Sequence, residues 1–125
     1  MPINKPADAK YKLNTLIKNR WSHRAFENKS VDNEILSSLF EAARWAASCN
    51  NSQPWRFIVA KKENPEEYAK ALSCFNENNQ KWASTAPVIG FVGAYQLMLG
   101  DKKSRTYFYD TGMAMSQFTL SLIHI

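Results

Sequence analysis

The chain has 125 residues, 45% of them hydrophobic and 22% charged, with a mean hydropathy of -0.44, a composition that fits one soluble globular domain at most. No apolar run approaches the roughly 20 residues that cross a bilayer, and the opening MPINKPADAKYK has no apolar signal-peptide core, so a cytoplasmic location is expected. Sixteen basic against eleven acidic residues give a net charge of +5, which favours anionic ligands and leaves nucleic acid, a phosphate-bearing cofactor and an acidic surface all open.

In chain order, Leu13, Leu16 and Ile17 recur at helical spacing and predict a helix over 9–19, with Asp8 as its N-cap. Asp32 is placed to cap a second helix, in which Ile35, Leu36, Leu39, Phe40 and Ala43 mark one apolar face through Ala47. Ser48 to Pro54 reads as a loop, and the proline biases Gln53 towards an extended conformation. WRFIVA, residues 55–60, is a strand. Asn64, Pro65, Glu66 and Glu67 combine a cap, a first-turn proline and acidic residues, starting a helix to about Phe75, which the polar stretch 76–80 is expected to interrupt. After Pro87, the run VIGFVGA reads as a strand buried on both faces. A polar loop over 100–105 precedes a final helix from Tyr107 to the end, with Gly112 and Ala114 as small, close-packing positions. This alternation of helices and strands predicts an α/β or α+β layered fold. Cys49 and Cys74 lack CxxC spacing and are expected to be reduced and buried.

Two constellations could carry chemistry. Arg20, Ser22 and Arg24 alternate in an expected extended segment, so all three share one side. Two guanidinium groups and a hydroxyl suit a phosphate, each charge-assisted bond being worth roughly 1.5 to 3 kcal/mol when shielded; the same residues could instead complement the dipole of the preceding helix. The second constellation, Ser48-Cys49-Asn50-Asn51-Ser52-Gln53-Pro54-Trp55, offers the mixed donors and acceptors that a flavin edge or nucleobase requires, and reads equally as a turn with self-bonding side chains.

Arg20-x-Ser22-x-Arg24-x-Phe26, the helix after it and Ala47 to Phe57 resemble the N-terminal half of the FMN-dependent nitroreductase family. Asn79-Gln80-Lys81-Trp82 before Ala86-Pro87, and Tyr109-Asp110-Thr111-Gly112-Met113-Ala114 opening the last helix, are similar to the same family, in the same order. The likeness runs from about Leu13 to Thr119. It implies an α+β sandwich with a central, mostly antiparallel sheet flanked by helices, present here as its N-terminal part. It also implies a homodimer that binds FMN at the subunit interface and takes NADH or NADPH as reductant. By position, Arg20, Trp21, Ser22 and Arg24 would hold the phosphate, ribityl chain and ring edge of FMN. Ser48, Cys49 and Asn51 would reach the flavin held mainly by the partner. Asn78 or Asn79, with Lys81, would meet its pyrimidine side. Gln53, Pro54 and Trp55 would shape the loop and pack beneath it, and Tyr107, Tyr109 and Met113 would form the dimer interface.

The implied activity is ping-pong hydride transfer to nitroaromatic, quinone or related small acceptors, with the chemistry carried by the flavin and no protein nucleophile, metal, nucleic acid or membrane involved. Where the family often has Pro-Ser-Ser, this chain has Ala47-Ser48-Cys49. Two other readings compete: a truncated, non-catalytic subunit that pairs with a full-length relative, and a basic nucleic-acid-binding module using Arg20, Arg24, Lys61, Lys62, Lys102, Lys103 and Arg105. The last six residues, LSLIHI, match the translation of CTG TCT CTT ATA CAC ATC, which resembles a transposase adapter used in sequencing libraries. The natural sequence is therefore expected to leave this frame at about Thr119, with 1–119 the family-like part and 120–125 a non-native tail.

Overall fold

A computed structural model describes residues 5–97 and 102–124. Its elements are α1 (Thr15–Asn19), α2 (Asn33–Arg44), a 3-10 turn (Cys49–Asn51), β1 (Trp55–Lys61), α3 (Pro65–Ser73), α4 (Glu77–Ala83), β2 (Val88–Ala94) and α5 (Tyr107–His124). The fold is α+β. β1 and β2 pair antiparallel, from Trp55 opposite Ala94 to Lys61 opposite Val88, and α2 packs along α5. Among the described residues, no helix is long and apolar enough to cross a membrane.

Strand alternation gives the sheet two faces. Trp55, Phe57 and Val59 face α2 and α5, where Trp55 joins Ala43, Ala46 and Ala114 in the core. The rings of Phe40, Phe57 and Phe118 pack beside it at centroid distances of 5.1 to 5.7 Å. On the other face, Ala60 and Ile89 are buried and Phe91 stacks on Phe75, just beyond α3, at 5.5 Å. Ile58, on that same face, is 69% exposed. Contrary to the expectation from its apolar sequence, β2 is not buried on both faces: Gly90, Val92 and Gly93 are exposed. The short α3 covers only one end of its face, and a cavity of about 410 Å³ lies between α2, the sheet and α5, lined by Phe57, Val59, Val92, Phe118 and Leu122 among others.

Several local expectations are corrected. The first helix covers only Thr15–Asn19, capped by Asn14, whose Oδ1 accepts the Leu16 N–H at 2.9 Å. Ala7 N–H donates to the Lys18 carbonyl at 2.7 Å, which folds the preceding segment back on α1, and exposed Leu13, Leu16 and Ile17 provide no buried face to extend it. Residues 76–80 build a helix rather than interrupting one, because Asn76 Oδ1 accepts the Asn79 N–H and caps α4. α2 starts after Asp32 as expected, without a side-chain cap bond, and ends at Arg44. α3 begins at Pro65 and ends at Ser73. Ala114 is fully buried, but Gly112 is exposed and a Cβ there would meet nothing within 4 Å, so Gly112 is not a close-packing position. Cys49 and Cys74 are both exposed, one opening the 3-10 turn and the other following α3, rather than buried in the core. α5 continues through residues 120–124.

The buried Tyr68 hydroxyl fastens α3 to the α4–β2 connection, lying 2.6 Å from the Ala86 carbonyl and 3.1 Å from that of Ala83. Burial pushes its pKa up, keeping the phenol a donor at neutral pH. Tyr68→Phe leaves these carbonyls without that donor and should lower stability by about 1–2 kcal/mol in urea unfolding, with an unchanged denaturant slope.

At the end of α2, the Glu41 carboxylate accepts from Arg44 Nε and Nη2 and from Trp45 Nε1, at 2.6 to 2.9 Å. The Arg44 bonds, then that of Trp45, lower its pKa from 4.5 to about 2. The pair is more than half exposed, so solvent screening keeps its contribution to stability small. That contribution is complete above pH 4.5 and is lost as pH falls towards 2. The Glu41 side-chain carboxyl, followed by NMR, should titrate near pH 2; an ordinary midpoint would show that the carboxylate is not held this way.

Candidate functional site

The segment after α1 takes its direction from the helix end. Arg20 closes α1 by donating its backbone N–H to the Leu16 carbonyl, then turns extended at φ -71° and ψ 125°. The rings of Trp21 and His23 lie 4.0 Å apart, so these two side chains share one side. Alternation puts Arg20 and Ser22 on the other side, before the bend at Arg24. Arg20, Ser22 and Arg24 are exposed, and among the described residues none of their side chains has a hydrogen-bond or ion-pair partner. Trp21 is half-buried, with Lys5 Nζ 5.3 Å from its ring centroid.

Phe26 and Trp82, with ring centroids 6.4 Å apart, bring this segment beside α4. Trp82 Nε1 donates to Asn79 Oδ1 at 3.2 Å, orienting that amide, while Asn78 and Lys81 on the same short helix are exposed. Two motifs more than fifty residues apart in the chain are thus neighbours.

The loop after α2 is built differently. Asn50 and Asn51 adopt left-handed backbone with φ 52° and 53°, a region asparagine tolerates better than most residues. Gln53 also has a positive φ of 44°, so the extended conformation expected before Pro54 is not adopted. Ser48 Oγ accepts the Gln53 N–H at 3.1 Å and Gln53 Nε2 donates to Asn51 Oδ1 at 3.0 Å; these bonds close the loop on itself and override the bias imposed by proline. Pro54 and Trp55 are buried beneath the loop. Cys49 and Asn51 are exposed and Ser48 is half-buried. Ser52 Oγ is buried without a hydrogen-bond partner among the described residues, beside an open groove of about 690 Å³ that Arg44, Asn51, Gln53 and Arg56 also line.

One residue of this site escaped sequence reasoning. Asp110, on the first turn of α5 and only 4% exposed, accepts the Cys49 N–H at 3.1 Å and the Thr106 hydroxyl at 3.0 Å through Oδ2. An acid in a first helical turn reads locally as a dipole complement; its actual partner lies 61 residues away.

The candidate residues therefore form two groups, 20–26 with 78–82, and 48–54 with Asp110. Among the described residues no hydrogen bond, ion pair or ring contact joins the two, and no group of three or more His, Cys, Asp or Glu side chains is arranged to hold a metal ion.

The chain superposes on the crystal structure of an oxidoreductase containing FMN with a TM-score of 0.82 and 34% identity, over 98% of this chain and 62% of that one. It shares its fold, at 22% identity and a TM-score of 0.69, with a nitroreductase family protein from Clostridium novyi NT, covering 87% of this chain and 62% of that one. In sequence it is 42% identical over 73 residues to the major NAD(P)H-flavin oxidoreductase of Aliivibrio fischeri, a match spanning 54% of this chain and 34% of that protein. Across the first curated relatives, the matched part covers only 30% to 41% of their length. The model of the Nitroreductase family matches residues 17–124, and the chain belongs to that family.

Proposed function

We propose that this chain forms the flavin-binding part of an FMN-dependent NAD(P)H oxidoreductase. The observation that carries the reading is the set of side chains of Arg20, Ser22 and Arg24, without partners among the described residues, on an exposed segment whose Phe26 meets Trp82 of the helix that carries Asn78, Asn79 and Lys81. These donors fit FMN. Two guanidinium groups and a hydroxyl match a phosphate dianion, Trp21 offers an aromatic face, and the amides and lysine of α4 provide donors and a cation for the pyrimidine side of the ring. The FMN-containing structural relative, at 34% identity, supports the same ligand.

Bound FMN would supply hydride chemistry in two half-reactions, accepting from NADH or NADPH and passing to a small nitroaromatic, quinone or related acceptor. The tasks of the chain itself are binding and orientation. Arg20 and Arg24 would neutralise the phosphate, and Lys81 would favour negative charge on the pyrimidine side. Ser48, Cys49 and Asn51 lie in the other group of site residues, and we assign them to the flavin of a partner copy. Exposed Tyr109 and Met113, with half-buried Tyr107, supply an apolar surface for that homodimer. We propose that the protein is cytoplasmic and acts without a nucleic-acid or membrane partner.

We further propose that residues 1–119 are the family domain and that 120–125 come from adapter DNA. An apolar Leu-Ser-Leu-Ile extension prolongs a helix whatever its origin. Sequencing the source DNA past the Thr119 codon should show the frame continuing without LSLIHI; the same six codons followed by a stop would refute a non-native tail and favour the non-catalytic subunit.

In the protein expressed from its complete reading frame, Arg20→Ala and Arg24→Ala should each weaken FMN binding roughly 10- to 150-fold in a fluorescence titration, as expected for loss of a charge-assisted phosphate contact. Affinities equal to wild type would remove this segment from the site. Initial rates at varied NAD(P)H and acceptor should give parallel double-reciprocal lines; intersecting lines would contradict the two-step scheme.

A further inference from the structure

The 3-10 turn that opens the 48–54 loop has a first amide that the loop itself does not satisfy. Ser48, at the N-cap position, makes no side-chain cap bond to the turn, because its Oγ accepts the Gln53 N–H at 3.1 Å instead. The Cys49 N–H is taken by the Asp110 carboxylate on α5. That carboxylate is itself fixed: Thr106 Oγ1 donates to the same oxygen, and buried Ser104 accepts the Thr106 N–H at 3.2 Å. The Ser104 N–H in turn donates to the Gln96 carbonyl, just past β2, and the Tyr95 N–H donates to the Pro54 carbonyl at 2.7 Å. The loop is thus gripped near both ends, by α5 at Cys49 and by the strand exit at Pro54.

We propose that Asp110 is the positioning residue of the flavin-facing loop: its carboxylate caps the Cys49 amide from a separate helix and so sets the placement of Ser48, Cys49 and Asn51 towards FMN. The proposal rests on the flavin reading above. A buried carboxylate shared between a backbone amide and a hydroxyl has a narrow geometry, so the loop inherits the rigidity of α5 instead of the freedom of a surface turn. Asp110 does not touch the cofactor in this scheme; it acts through the loop.

The test compares wild type, Asp110→Ala, Asp110→Asn and Thr106→Val in the protein expressed from its complete reading frame, using FMN titration by fluorescence and amide hydrogen exchange without FMN. Asp110→Ala should weaken FMN about tenfold or more and speed exchange at 49–53, leaving β1 and β2 protected. Asp110→Asn keeps an acceptor oxygen and should bind FMN within about threefold of wild type. Thr106→Val removes only the hydroxyl donor and should give a smaller effect in the same direction, a result that still decides the matter if Asp110→Ala does not fold. Unchanged FMN affinity in Asp110→Ala or Thr106→Val, exchange accelerated equally across β1 and β2, or no rescue by Asp110→Asn would each overturn the assignment. Absence of FMN binding by wild type would bring down the flavin reading and this inference with it; binding by wild type that no variant alters would bring down this inference alone.

Discussion

The close approach of α2 and α5 is the constraint on which the rest of the structure depends. Ala43 and Ala114 are both fully buried, and two methyl side chains at the crossing let the helices pack against each other without a bulky spacer. Trp55 and the rings of Phe40, Phe57 and Phe118 pack between this helix pair and the sheet, with the cavity beside the three phenylalanines. With α5 fixed there, Asp110 comes to lie against the loop that leaves α2, and α1, which packs on α5, delivers Arg20 and Ser22 in an extended segment. The loop that leaves α2 and the segment after α1 are thus both held, directly or through α1, by the same helix, while α4 meets that segment at the Phe26–Trp82 contact.

The remaining interior is lightly filled. Among the described residues, apart from Pro54, Trp55, Tyr68, Leu39 and Ile89, the buried apolar side chains are alanines, and large ones stay at the surface: Ile58 on the sheet, Trp45 after α2, and Phe108 and Tyr109 on α5. Among the described residues the sheet has two strands, so each presents one edge without a strand partner. A two-stranded sheet depends on the helices packed on it for stability. The apolar surface that these helices leave uncovered is available to other chain or to a partner subunit.

Where periodicity and capping agreed, the sequence was readable. The apolar stripe of α2, the Asn-Pro-Glu-Glu start of α3 and the two apolar strands all stand where their residues predict. The misreadings have two causes: contacts with distant parts of the chain, and local side-chain bonds whose presence residue type alone does not decide. The helical spacing of Leu13, Leu16 and Ile17 does not carry α1 back over residues 9–14, because all three side chains are exposed and have nothing to be buried against. Residues 76–80 look like a polar break because a helix start rich in asparagine and glutamate resembles a turn; only the Asn76 cap tells them apart. The cysteines follow no burial average because one opens a tight turn and the other trails a surface helix. The candidate site was legible as residue types, since the phosphate-like donors and the amide-rich loop stand out by composition. Its assembly was not: the Phe26–Trp82 contact and the Asp110–Cys49 bond join residues far apart in the chain, and neither leaves a local trace.

The two groups of candidate ligand residues matter only through the binding of a flavin mononucleotide that we propose for them. The decisive measurement of that binding is the visible absorption spectrum of the protein expressed from its complete reading frame, reconstituted with FMN and freed of unbound cofactor by gel filtration. Flavin bands should travel with the protein at about one FMN per chain, as one tight site per subunit requires. A colourless, correctly folded protein would contradict it.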